Sequence, residues 1–454
     1  MKKFLLLVSF SFSLYGLAQN TETETVKSIY TQALTEQQGY QWLKKLTDIG
    51  GRLAGSDEAT EAVKVFQEMA DSLGFSTQLQ EVKVPHWVRG PKEIAYYTQS
   101  GKRTEVAVCA LGGSVETPEK GLEAQVVEIT SFEQLDVMTN ELEGKIAFYN
   151  IPMDPAFINT FFAYSGAVKQ RYVGALEASK KGAVGVIARS LSSSINPYPH
   201  TGSMTYAGAE ELIPAMAIST FHAEQLSRDL KSTPQLKFFM KMAPEHKDSV
   251  LSYNLVAELK GKEKPDEVIV IGGHIDSWDL GTGAHDDGAG CIHSLEAAYL
   301  LKKLNLLPQR TLRVVFFMNE EFGLNGAKVY AARSKKENIK HVIAIESDAG
   351  GFSPRGISMV APDSLKKRIR DLRSYLEPYG IHEFSETGAG ADISQLKHDN
   401  LVMIGLRPDS HRYFEVHHSS QDILAHVNAR ELELGSASLA ALIYLLDKYN
   451  IVAP

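Results

Sequence analysis

Four short apolar runs in the second half of the chain each stop at a group that can hold a metal. EVIVIGGH ends at His274, with Asp276 just beyond. TLRVVFFMNEE ends at Glu320 and Glu321, HVIAIESDAG carries Asp348, and the loop after LVMIGLRP reaches His417 and His418. Near-continuous Val, Ile and Phe runs suit strands covered on both faces. Helical periodicity lies between them at 290–304, 324–333 and 364–379, with a last helix over 429–449. Alternation of this kind predicts an α/β fold, a mostly parallel sheet flanked by helices. In such sheets ligands bind outside the carboxyl ends of the strands. One more acidic pair, Asp286-Asp287 in GTGAHDDGAG, sits in the loop before a helix. All these groups are therefore expected to converge on one crevice.

The rest of the chain is organised differently. Residues 38–74 read as two helices, with Trp42, Leu46 and Ile49 on one face and Val63, Phe66 and Met69 on another. The break between them, GGRLAGS, offers Ser56 as an N-cap. Residues 118–243 hold their own short apolar runs, AQVVEIT, GKIAFYNI and AVGVIAR. This block reads as a small β-rich module inserted between a first peptide-chain part at 19–117 and a second at 244–454. The opening MKKFLLLVSFSFSLYGLAQ combines two lysines, an apolar core and small residues at Gly16 and Ala18. It predicts a signal peptide over 1–18, export to a secreted or periplasmic location, and no stable membrane span after processing. Cys109 and Cys291 lie in unrelated apolar contexts and read as two separate buried thiols.

Composition excludes several functions. Lys+Arg 47 against Asp+Glu 55 gives −8, a poor balance for a nucleic-acid partner. There is no Gly-x-Ser-x-Gly elbow, no phosphate loop and no Gly-x-Gly-x-x-Gly fingerprint. His-Glu-x-x-His is also absent, since HEFSE fails at its last position. Two histidines among several carboxylates suit zinc with an open position for water. A carboxylate between two histidine-bearing half-sites can bridge two cations, which in such centres lie about 3.5–4 Å apart. A carboxylate off the metals must then carry the proton.

With these residues assembled, GGHIDSWDLGTGAHDDGAG, FFMNEEFGLNGA, AIESDAG and the HHSSQD segment resemble the M28 family of co-catalytic zinc peptidases, in that family's order. GGRLAGSDEATEAV and VPHWVRGP are similar to a carboxypeptidase subgroup of it. The resemblance implies two Zn2+ per chain and a bridging water or hydroxide. His274, Asp286 and Asp348 would hold one ion; Asp286, Glu321 and His418 would hold the other. Asp286 is taken over Asp287, and His418 over His417, by their places in the family's motifs. Glu320 would be general base and acid. Asp276 would orient His274 through its other ring nitrogen, and Asp422 would act likewise four residues after His418. His417, where some members carry tyrosine, would donate to the oxyanion. The resemblance further implies small peptide substrates, dipeptides with free termini foremost, a homodimer, and a protease-associated domain as the insert. Arg407 and Arg412 could meet a free carboxylate or be ordinary surface arginines; Asp392 could meet an amine or cap the helix after it. The rival functions are a broad-specificity aminopeptidase of the same family, a single-zinc glutaminyl cyclase-like enzyme, and an inactive peptidase fold used for binding.

Overall fold

The computed structural model describes residues 21–453; the expected signal peptide lies outside the described residues. The strands of the larger sheet are β1 (Ser76–Val88), β2 (Glu245–Leu259), β3 (Lys264–His274), β4 (Arg310–Phe317), β5 (Lys340–Glu346), β6 (Pro354–Val360), β7 (Glu383–Ser385) and β8 (Val402–Pro408). They lie in the order β1-β2-β4-β3-β5-β8-β6-β7. The four central strands, β4, β3, β5 and β8, run parallel. β1 pairs antiparallel to β2 and β2 to β4, and β6 runs antiparallel to β8.

Helices cover both faces. They are α1 (21–36), α2 (Gln38–Thr47), α3 (Asp57–Ser72), α4 (Ala289–Lys303), α5 (Asn325–Lys336) and α6 (Ala429–Lys448). Successive strand side chains point to opposite faces. Ile269 and Ile271 of β3 accordingly join a core with Phe66 of α3, Leu295 of α4 and Leu442 of α6. Val268 and Val270 join a second core with Ala327 and Tyr330 of α5. Phe66 meets Phe316 of β4 edge to face at 4.8 Å. Ser56 caps α3, its hydroxyl accepting from the Ala59 N–H at 3.0 Å. The helix expected over 364–379 is instead broken into Asp363–Arg370, Arg373–Leu376 and a 3-10 turn at Glu377–Tyr379. Pro378 stands inside that last turn and lacks a donor to continue the ladder.

The second sheet is mostly drawn from residues 118–243, as strands Leu122–Ile129, Ile146–Tyr149, Gly185–Arg189, Ala215–Ile218 and Lys237–Lys241. Three strands that precede residue 118 complete it: Ile94–Gln99, Lys102–Glu105 and Val108–Ala110. Cys109 and Cys291 are buried free thiols, one in each half of the molecule. Among the described residues no helix is long and apolar enough to cross a membrane.

The start of α2 is held unusually. Its N-cap Gln37 makes no side-chain capping bond. Instead Glu296 of α4 accepts from the Gly39 N–H at 2.9 Å, and Glu433 of α6 from the Tyr40 N–H at 3.0 Å. Burial and the neighbouring Glu296 push the Glu433 carboxyl up to about 10. Burial likewise raises Glu296. In the unfolded chain both titrate near about 4.3. The stability that Glu433 contributes by holding its proton is therefore complete below that value and is lost as pH rises toward about 10. Glu433→Gln keeps the acceptor for Tyr40 and removes the titration. Thermal unfolding should show the variant close to wild type near about pH 5 and more stable near about pH 9. Parallel stability curves across that range would contradict the account.

Candidate metal centre

The parallel strands deliver their groups to one edge. β3 ends in His274, the chain beyond β4 carries Glu320 and Glu321, the chain beyond β5 carries Asp348, and the loop after β8 carries His417 and His418. Asp286 lies in the turn Ala284–Gly288 that leads into α4. Asp286 stands between two histidines, Oδ1 at 3.3 Å from His274 Nε2 and Oδ2 at 3.1 Å from His418 Nε2. On one side Asp348 Oδ1 is 3.8 Å from His274 Nε2. On the other, Glu321 Oε2 is 3.2 Å from His418 Nε2. Ligand atoms of His274, Asp286 and Glu321, of Asp286, His417 and His418, and of His274, Asp287 and Asp348 lie within 4.8 Å of one another in three overlapping groups.

The loops that present these groups are pinned by other carboxylates. Asp276 accepts from the N–H groups of Asn319 at 2.7 Å and Glu320 at 3.1 Å. Its carboxylate is 3.9 Å from His274 Nδ1; the Asp276 carbonyl, at 3.0 Å, is what meets that nitrogen. Asp422 does not touch His418. Its two oxygens accept from the N–H groups of His285 at 2.6 Å and Asp286 at 3.1 Å. Asp287 turns away from the cavity and accepts from the His274 N–H at 3.2 Å and the Gly290 N–H at 3.0 Å. Gly290 is required there, because a Cβ would lie 1.7 Å from the Ser347 carbonyl. Arg52, from the GGRLAGS break, is fully buried and donates to the carbonyls of Ile275, Thr282 and Gly283. The sequence marks that segment as a break between helices and as part of the family resemblance, and gives Arg52 itself no role.

The charges are arranged for a cation. Glu321 Oε1 is buried with no hydrogen-bond partner, and Asp286 Oδ2 has only the His418 and His417 rings beside it, an arrangement that is costly unless something else satisfies these oxygens. Burial pushes the Glu320 carboxyl well above its ordinary range, and Asp348 and Glu321 add to the shift. Burial raises Asp348 and Glu321 too. Burial opposes charge on the His418 ring, but Glu321 and Asp286 outweigh it and lift the ring to about 10. His274 is lifted in the same way by Asp286 and Asp348. His417 goes the other way: burial and the adjacent His418 hold it neutral. The carboxylates favour a proton on the His274 and His418 rings; divalent cations in the protons' place would satisfy both partners. The donor set of imidazole and carboxylate suits zinc.

A cavity of about 560 Å³ opens over these groups, lined by Asp286, Glu320, Glu321, Asp348, His417 and His418 on one side. The insert lines the other side with Phe161, Tyr164, Arg171 and Met204. Arg171 was not singled out in the sequence, where only its place in the aromatic stretch FFAYSGAVKQRY marks it. It is 6% exposed, its Nε has no partner, and among the described residues no carboxylate pairs with it. The expected substrate contacts lie elsewhere. Arg407 is bonded to Ser358 Oγ at 2.8 Å and to the Gly388 carbonyl, outside the cavity lining. Arg412 is exposed, paired with Glu431 at 3.3 Å and laid over Phe352. Asp392 is buried, caps no helix with its side chain and does not line the cavity.

The model of peptidase family M28 matches residues 254–443. Carboxypeptidase Q of Bos taurus is 34% identical over 429 residues, covering 94% of this chain and 88% of the relative. Carboxypeptidase Q of Homo sapiens is 33% identical with the same coverage. A crystal structure of a peptidase M28 precursor from Shewanella amazonensis superposes with a TM-score of 0.90 at 33% identity, over 94% of this chain and 97% of that one. Identity of this extent, on a sheet edge that gathers histidines and carboxylates around one cavity, establishes that the chain belongs to peptidase family M28 and is a metallo-exopeptidase.

Proposed function

We propose that the chain is an exported di-zinc exopeptidase that cleaves small peptides, dipeptides with free termini foremost. The observation that carries this reading is Asp286, which offers one oxygen toward His274 and the other toward His418. His274 and Asp348 would complete one zinc site with it, and Glu321 and His418 the other. Zinc bound there supplies a Lewis acid for the scissile carbonyl and lowers the pKa of water to about 7. Glu320 takes the proton from the attacking water and returns it to the departing amine. Its raised affinity for a proton, caused first by burial, suits a base that must also serve as acid. His417, neutral and beside Asp286, donates to the oxyanion as the carbonyl becomes tetrahedral. Asp276 acts by holding the amides of Asn319 and Glu320, and Asp422 by holding those of His285 and Asp286.

Arg171 supplies the preference for a free carboxyl end. A guanidinium buried without an acid is a standing demand for one, and its planar fork matches a carboxylate. It reaches the cavity from the insert, which we read as a protease-associated domain spanning 118–243. The aromatic side chains around it limit the room for longer peptides. Export follows from the signal segment over 1–18.

Glu320→Gln should retain zinc while kcat/KM falls on the order of 10³-fold, read by metal analysis beside dipeptide hydrolysis. Near-normal turnover would remove Glu320 from the reaction. Asp286→Ala should lose both ions together; two tightly held zincs in that variant would refute the bridge. Free dipeptides should be cleaved better than their C-terminal amides, and Arg171→Leu should raise KM for the free dipeptides by about 10–100-fold while leaving the amides little changed. Equal hydrolysis of free and amidated dipeptides by the wild type would favour the broad aminopeptidase instead.

A further inference from the structure

The insert does more than roof the cavity: it is bonded to the backbone of the histidine pair. His200 Nδ1 lies 2.6 Å from the carbonyl oxygen of His417. The next residue closes a reciprocal pair, the Thr201 N–H donating to the His418 carbonyl at 2.9 Å and the Thr201 carbonyl lying 3.2 Å from His418 Nδ1. His418 has φ 60, a left-handed conformation that a side-chain-bearing residue rarely holds unless its surroundings impose it. Strand ladders supply none of that constraint, because 417–418 lies in a loop beyond β8.

The loop that reaches across is itself fastened to the second sheet. The His200 N–H donates to Ser190 Oγ at 2.9 Å, and Thr201 Oγ1 donates to the Ala110 carbonyl at 2.8 Å. Gly202 follows, where a Cβ would fall 2.3 Å from Arg171 Nη1, so the loop lies flush against the cavity arginine. His200 is 2% exposed and its Nε2 has no partner. Its one side-chain contact of note is therefore spent on the His417 carbonyl, not on satisfying its own ring.

We infer that His200 is a positioning residue for the metal ligand His418: the insert, through His200 and Thr201, holds the His417–His418 backbone so that the His418 Nε2 faces Asp286 and Glu321. The inference rests on the reading of His418 as a ligand. Partners that orient a metal-bound histidine typically change metal affinity by about 10–100-fold when removed.

The test uses the full-length zinc-loaded protein, dialysed against graded chelator, with zinc content per chain as the readout. His200→Leu fills the ring's space without a donor; His200→Asn restores an N–H near the Nδ1 position. His200→Leu should keep one zinc as tightly as wild type and hold the other about 10–100-fold more weakly, and His200→Asn should recover most of that loss. The thermal unfolding of the two metal-free variants should coincide. Wild-type retention of both zincs by His200→Leu would overturn the inference. So would equal loss in the Leu and Asn variants, which marks a packing defect. His418→Ala separates the two readings: it should lose the same zinc outright, and retention of two zincs there would sink the ligand assignment itself, whatever His200 does.

Discussion

Loops at the carboxyl edge of a parallel sheet leave backbone amides without ladder partners, and buried carboxylates provide them here. Asp276 takes the amides of Asn319 and Glu320, Asp422 those of His285 and Asp286, and Asp287 those of His274 and Gly290. Glu346 does the same for Ala391 and Ile393, both at 2.8 Å. An orphaned buried donor costs about 1–3 kcal/mol, so each acid stabilises a loop conformation that apolar packing alone would leave undetermined. The rest of the site depends on this scaffold, because the groups that face the cavity ride on those same loops.

Two populations of acid follow. One is saturated by amides and is structural. The other, chiefly Asp286, Glu321, Glu320 and Asp348, faces inward with incomplete hydrogen bonding and mutual repulsion. Bringing like charges together where burial strips them of solvent is unfavourable by about several kcal/mol unless a counter-charge enters. Imidazole nitrogens already lean toward them at 3.1–3.3 Å. Metal affinity and loop rigidity thus come from one residue type, sorted by what each carboxylate meets.

His274, Glu320, Glu321, Asp348 and the His417-His418 pair were legible because each follows an apolar run, and parallel pairing brings such ends to one edge. Asp276 and Asp422 were legible as neighbours of the site, yet their targets are peptide N–H groups, which every residue carries and no letter reports. Arg407 and Arg412 were attractive for lying before His418, but Ser358 and the Gly388 carbonyl hold the first and Glu431 draws off the second. Arg171 and His200 were missed for the opposite reason. Their places at the site show only in the fold, where Arg171 Nη1 lies 3.4 Å from His418 Nδ1 and His200 Nδ1 lies 2.6 Å from the His417 carbonyl, across more than two hundred positions of sequence. The broken helix after Asp363 shows a different failure, where periodicity ran on through a turn at 371–372 and then through Pro378.

β3 alternates strictly, Val268 and Val270 to one layer of helices and Ile269 and Ile271 to the other. A sheet packed on both sides has no slack for sliding. One residue inserted into β3 would exchange its two apolar rows and swing the imidazole at its end through half a turn. Insertions in the loops beyond the strand ends spare that alternation. Length can therefore be added to loops that carry no cavity group, while the spacing inside the central ribbons stays frozen to the residue.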